Sequence, residues 1–234
     1  MASTELPPSE LGTKDHWDNV YEREVANFEE TGDEGEIWFG EDSVEKMADW
    51  AVENVPPSTQ PFIIEVGSGN GTLLFALLDA GYDAKRLAGI DYSPDAVKLS
   101  KMIAGARGGD AISLGVCDFL SETPSSLEGQ ASSVGGWDLV LDKGTYDAIA
   151  LGEKDEHGRS PAVGYPARIS QLLKEGGHVL ITSCNFTEEE LKTSFATYET
   201  GLVYHSRVSH PTFSFGGHSG SSYATVAFQK PSPP

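Results

Sequence analysis

Three glycines at alternate positions, Gly67, Gly69 and Gly71, follow an apolar run of strand length that contains an acid, Phe62-Ile63-Ile64-Glu65-Val66. Glycine has no Cβ, so backbone built from it turns tightly and lets a ligand approach closely. A second apolar run, Leu87-Ala88-Gly89-Ile90, ends in Asp91. A carboxylate about 20 residues past such glycines meets the ribose hydroxyls of a bound nucleoside. Together these residues mark a nucleoside-cofactor site. Cys117-Asp118-Phe119 adds an acid that can accept from an adenine amino group and an aromatic that can cover its face. Asp142-Lys143-Gly144-Thr145-Tyr146-Asp147 and Ser183-Cys184-Asn185-Phe186 supply further polar groups.

Which nucleoside follows from the glycine spacing and from Glu65. A dinucleotide fingerprint reads G-x-G-x-x-G and sets a pyrophosphate on a helix N-terminus. Here the third glycine comes one position early, and a carboxylate before the turn would repel a pyrophosphate. It suits a cation instead. S-adenosylmethionine carries a sulfonium, an ammonium and a ribose, and has no phosphate. The E-x-G-x-G-x-G pattern resembles the first motif of class I, seven-strand methyltransferases, and Gly89-Ile90-Asp91 resembles their second.

The elements that must position these residues alternate along the chain. Apolar runs at 62–66, 87–91, 111–116, 137–141 and 178–183 read as strands, and 71–80, 94–104, 163–174 and 187–197 as helices. Two more strands are expected at 202–208 and 223–229. This order gives an α/β fold with a mostly parallel sheet and helices on both faces. Ligands in such sheets lie beyond the carboxyl ends of the strands, where the residues above fall. Ahead of the sheet, Trp17, Tyr21, Val25 and Phe28 mark an amphipathic helix from Thr13. Ser43 caps a second helix carrying Val44, Met47, Ala48 and Ala51, stopped by Pro56-Pro57. Residues 1–12 are expected as a mobile tail, 13–61 as a helical cap that closes the site, and 62–230 as the cofactor-binding domain. The polar loops 121–136 and 152–161 read as surface.

The 234 residues carry a net charge of −20, and residues 1–60 hold sixteen acids against Lys14, Arg23 and Lys46. Such a field opposes nucleic acid, whose binders neutralise phosphates, and speeds encounter with a basic protein. No window approaches the roughly 18 apolar residues of a membrane span. Neither the two cysteines nor the six histidines have metal-ligand spacing, so no metal is expected. A cytoplasmic or also nuclear monomer is the expectation.

A more specific resemblance runs over most of residues 11–229. It is carried by Leu11-Gly12-Thr13-Lys14-Asp15-His16-Trp17-Asp18, Gly32-Asp33-Glu34-Gly35-Glu36-Ile37-Trp38-Phe39-Gly40-Glu41, Leu141-Asp142-Lys143-Gly144-Thr145-Tyr146-Asp147-Ala148-Ile149 and Phe213-Ser214-Phe215-Gly216-Gly217. The chain resembles the eukaryotic protein-lysine methyltransferases that modify translation elongation factor 1-alpha. That resemblance implies a Rossmann-like, seven-stranded sheet with an antiparallel last strand, and methyl transfer from S-adenosylmethionine to a lysine ε-amine. It implies that Glu65, Gly67, Gly69, Asp91, Asp118 and Phe119 line the cofactor, with Tyr92 against the adenosine; Trp38, Cys117 and Asp142 are further candidate cofactor-binding residues. Trp38 and Phe39 belong to the closing segment, and Asp142 faces the methyl donor, with Tyr146 a second candidate catalytic residue. Plainer roles stand beside these: Asp142 as a helix cap, Trp38 and Phe39 as apolar staples, Tyr146 as a packed helix residue. A small-molecule methyltransferase and a non-catalytic, S-adenosylmethionine-binding interaction protein in trafficking or translation are the alternative functions.

Overall fold

The computed structural model describes residues 6–132, 134–210, 213–215, 218–220 and 222–232. Seven strands form one sheet: β1 (Ile63–Val66), β2 (Leu87–Asp91), β3 (Ser113–Val116), β4 (Trp137–Lys143), β5 (Leu173–Ser183), β6 (Val203–Val208) and β9 (Ala224–Gln229). Their spatial order is β3-β2-β1-β4-β5-β9-β6, with β9 antiparallel to both neighbours and the rest parallel. A short hairpin, β7 (Phe213–Phe215) with β8 (His218–Gly220), stands apart. The chain runs outward from β1 to β3 and then returns to the other side of β1. The β1/β4 boundary is therefore where strand order reverses and a crevice opens at the carboxyl ends.

Successive strand residues face opposite layers, and both faces of this sheet are covered. Ile63, Leu139 and Leu141 pack with α2 (Gly40–Asn54), α3 (Thr72–Asp79) and α4 (Pro94–Arg107), and α1 (Lys14–Thr31) adds Val25 to that layer. Ile64, Val66 and Val140 pack with α5 (Thr145–Ala150), α6 (Tyr165–Leu172) and α7 (Glu188–Phe195). The N-terminal helices thus share a core with the sheet. Residues 6–12, expected in a mobile tail, are built in: Leu6 packs on the second layer, and Ser9 N–H donates to Leu151 O at 3.0 Å.

Element ends show where local chemistry decides. The expected capping box of α7 is present, with Glu190 N–H donating to Thr187 Oγ1 at 3.4 Å and Thr187 N–H donating to Glu190 Oε2 at 2.8 Å. The second helix begins at Gly40 rather than after Ser43, whose hydroxyl instead donates to Gly40 O at 2.8 Å. Its cap is Phe39, held at φ 63°, a left-handed conformation rare for a bulky side chain. β4 runs two residues beyond its expected end, and the six-residue α5 follows it at once.

Candidate active site

The glycine turn after β1 is held from three sides. Gly67 and Ser68 N–H groups donate to Ile90 O at 2.8 and 2.9 Å, which ties the turn to β2. Thr145 Oγ1 donates to Val66 O at 2.7 Å, which ties it to the start of α5. At Gly67, φ is 67° and a Cβ would fall 2.0 Å from Thr145 Oγ1; at Gly69, φ is 53° and a Cβ would fall 2.4 Å from the Tyr21 hydroxyl. Asn70 reaches the N-terminal segment, donating to Glu34 O at 3.0 Å and Glu36 O at 3.3 Å, while its Oδ1 accepts from Thr72.

Asp91 ends β2 beside this turn and is buried. Its Oδ2 accepts from Gly69 N–H at 3.0 Å and its Oδ1 from Ser93 N–H at 2.9 Å. Each oxygen keeps acceptor capacity toward the cavity. Burial pushes its pKa up to about 6, against the pull of the Ser93 and Gly69 amides.

One cavity lies over these strand ends. Its wall includes Trp38, Gly67, Gly69, Asp91, Tyr92, Cys117, Asp118 and Phe119, eight of the residues picked out from sequence. Arg168 fixes the β3 end by donating to Phe119 O at 2.5 Å and stacking over the Phe119 ring at 5.2 Å. Asp118 makes a turn of its own, accepting from Leu120 N–H at 3.0 Å and Ser121 Oγ at 2.8 Å.

Three expected site residues lie elsewhere. Asp142 is fully buried and is not on the cavity wall. Its carboxylate accepts from Thr145 and Tyr146 N–H groups at 2.9 and 3.1 Å and from the Tyr165 hydroxyl at 2.5 Å, so it caps α5. Burial raises its pKa to about 7, against the Tyr165 hydrogen bond. Tyr146 is buried in the second layer among the rings of Tyr165, Phe186 and Phe195. Glu65 sits beneath the floor, with Oε2 buried and without a hydrogen-bond partner. Burial raises its pKa to about 8, and the nearby Lys143 pulls it back.

Residues not assigned to the site from sequence take up the wall instead. Trp17 and Tyr21 reach it from α1, with Trp17 Nε1 donating to Leu11 O at 2.8 Å and its ring 4.8 Å from that of Trp38. Their spacing signals a buried helix face and nothing more. Lys143 and Glu36 line the cavity, as do Gly152 and Pro161, which belong to a loop expected to be plain surface.

These residues fit S-adenosylmethionine. Asp91 offers acceptors for a ribose, Cys117 to Phe119 offer an acid and an aromatic for an adenine, and Gly67 and Gly69 let the turn pack against Thr145 and Tyr21 more closely than a Cβ would allow. A buried carboxyl atom under the floor lacks a partner. The sheet order, with its antiparallel strand next to the edge, and this site define a class I S-adenosylmethionine-dependent methyltransferase.

Comparison with known proteins agrees. Residues 61–224 match the family model described as a methyltransferase domain. The Schizosaccharomyces pombe protein named protein-lysine N-methyltransferase efm4 is 41% identical, across 96% of this chain and 95% of that protein. Mouse EEF1A lysine methyltransferase 2 is 40% identical, across 98% of this chain and 87% of that protein. Among solved structures, the [4+2]-cyclase SpnF superposes with a TM-score of 0.64 at 15% identity, over 97% of this chain and 98% of that one. The magnesium protoporphyrin IX methyltransferase of Synechocystis with bound S-adenosylmethionine gives 0.56 at 14%, over 89% and 96%. These two share the fold while differing in chemistry. The chain belongs to the protein-lysine N-methyltransferase family of the first two relatives, and its methyl donor is S-adenosylmethionine.

Proposed function

We propose that this chain methylates a lysine ε-amine of translation elongation factor 1-alpha. The observation that carries the reading is the identity of about 40%, over nearly the whole chain, to relatives named for that reaction. When bound, S-adenosylmethionine would supply an electrophilic methyl carbon on its sulfonium; a neutral lysine amine attacking that carbon in line forms the N–C bond as the C–S bond breaks and the neutral thioether leaves. Positioning is the main demand of such a step.

A lysine is protonated near neutral pH and must lose a proton before attack. Asp142 is taken up by α5 and Tyr165, so no carboxylate role in orienting the amine is assigned to it. The half-buried Trp38, beside Trp17 and Phe39, forms an aromatic lip on the cavity. Such a surface strips water from an ammonium and favours the neutral amine, and the proton leaves to solvent. The same faces hold a methylated product cation by about 0.5–2 kcal/mol.

The acidic N-terminal quarter supports a basic protein substrate over a small metabolite or a nucleic acid. Exposed large apolar side chains such as Val116, Val163 and Tyr198 lie on different elements, with Val203 and Tyr204 the adjoining pair on β6, and this scatter supports a monomer. No helix among the described residues is long and apolar enough to cross a membrane. A cytoplasmic site of action, where translation factors work, goes with the proposed substrate. The test is mass spectrometry of purified elongation factor 1-alpha after incubation with this chain and donor. One lysine should gain methyl groups; an unmodified factor alongside a methylated metabolite would overturn the assignment.

A further inference from the structure

A single cation stands on the wall of a cavity that is otherwise acidic, aromatic or neutral. Among the described residues that line it, Lys143 is the one Lys, Arg or His, whereas Glu36, Asp91 and Asp118 are all acids. An ammonium has three donors, but Lys143 Nζ makes one long hydrogen bond, to Trp38 O at 3.4 Å. No carboxylate pairs with it at contact distance among the described residues. Glu65 and Asp142 support its charge from further away, against burial, which lowers its pKa. A largely buried ammonium with idle donors lacks an anion.

The donor has one anionic group. Its sulfonium and α-ammonium suit the acidic wall, but its α-carboxylate is repelled by Asp91, Glu36 and Asp118. The sheet sets the distances. Asp91 ends β2 and Lys143 ends β4, with β1 between them. Two strand spacings are roughly 10 Å, which suits a ligand with its ribose at β2 and its amino-acid end toward β4.

We propose that Lys143 binds the α-carboxylate of S-adenosylmethionine, so that the site selects a nucleoside bearing an intact amino acid. This rests on the donor assignment and is independent of which protein is methylated. The probe is decarboxylated S-adenosylmethionine, which keeps the sulfonium, amine and adenosine but lacks the carboxylate. By calorimetry the wild-type chain should bind it about 10- to 100-fold more weakly than the full donor, the range of one charge-assisted hydrogen bond. Lys143→Met should lose a similar factor for the full donor and keep its affinity for the decarboxylated one, so that the preference disappears. Lys143→Arg should restore the preference.

Equal binding of both ligands by the wild type would overturn the proposal without any variant. A Lys143→Met protein that keeps the wild-type preference would show that backbone amides hold the carboxylate, and equal loss of both ligands would show a structural lysine; either result overturns it. A wild-type chain that binds neither ligand would refute the donor assignment itself. An unmodified elongation factor in the methylation assay would leave these binding ratios untouched.

Discussion

Asp91 should make donor affinity depend on pH below neutrality. In the proposed site its carboxylate would accept from the ribose hydroxyls, and such binding would require the ionised form. Burial holds its pKa at about 6. At pH 7 about 91% of the donor-free protein carries the charge, and at pH 5 about 9%, so the apparent Kd should rise roughly tenfold between them. The sign for folding is opposite. The folded pKa lies above the ordinary aspartate value of 3.8, so the folded state binds more protons between the two values. Asp91 therefore makes the donor-free protein more stable as pH falls through that window, by at most about 3 kcal/mol at 1.36 kcal/mol per pH unit. Asp91→Asn keeps the shape and removes the titration. It turns charged acceptors into one neutral acceptor and one donor, which should cost about 2–3 kcal/mol of donor binding, or roughly 30- to 150-fold in Kd. Its profile between pH 7 and pH 5 should be flat. Titration calorimetry of both proteins across that range measures both effects. A variant that binds within about threefold of wild type, or that keeps the wild-type slope, would refute the reasoning.

Other expectations follow from the contacts around the site. Gly69→Ala places a Cβ 2.4 Å from the Tyr21 hydroxyl at φ 53°; it should lower stability by about 1–3 kcal/mol and abolish measurable donor binding, and normal calorimetry would count against the close approach. Asp142→Asn removes an acceptor from a set that caps α5 and takes the Tyr165 hydroxyl. Urea denaturation should show a loss of about 1–3 kcal/mol with donor Kd nearly unchanged, and loss of binding at full stability would return Asp142 to the cavity. Asn70→Ala releases the Glu34 and Glu36 carbonyls, so amide exchange over residues 33–38 should quicken; unchanged exchange would mean the segment is held by other contacts.

Much of the architecture is legible in the sequence because its signals are local. Strand-length apolar runs, the Pro56-Pro57 stop and the Thr187 capping box each fix an element from neighbouring residues. The seven-strand sheet and the grouping of Gly67, Gly69, Asp91 and Asp118 follow from strand-end placement. What the sequence hides is which side a strand-end residue faces. Asp142 and Lys143 are adjacent and point to opposite layers; one caps α5 and the other reaches the cavity. Glu65 pairs with Leu141, two residues earlier on β4 than Lys143, and so lies beneath the floor. Trp17 and Tyr21 escape for another reason: a helix that covers a ligand carries the same spacing as one that covers a core. Their role depends on the path of residues 32–39, which Asn70 anchors from far along the chain.

The placement of β9 has a consequence for how the molecule is made. It lies between β5 and β6, both of which leave the ribosome earlier, so β6 has no partner until the last strand arrives. Each half of the interface is an unpaired edge during that interval. A nascent polypeptide stalled before residue 224 would lack the strand that joins β5 to β6 and would leave both edges open to pairing with other chains.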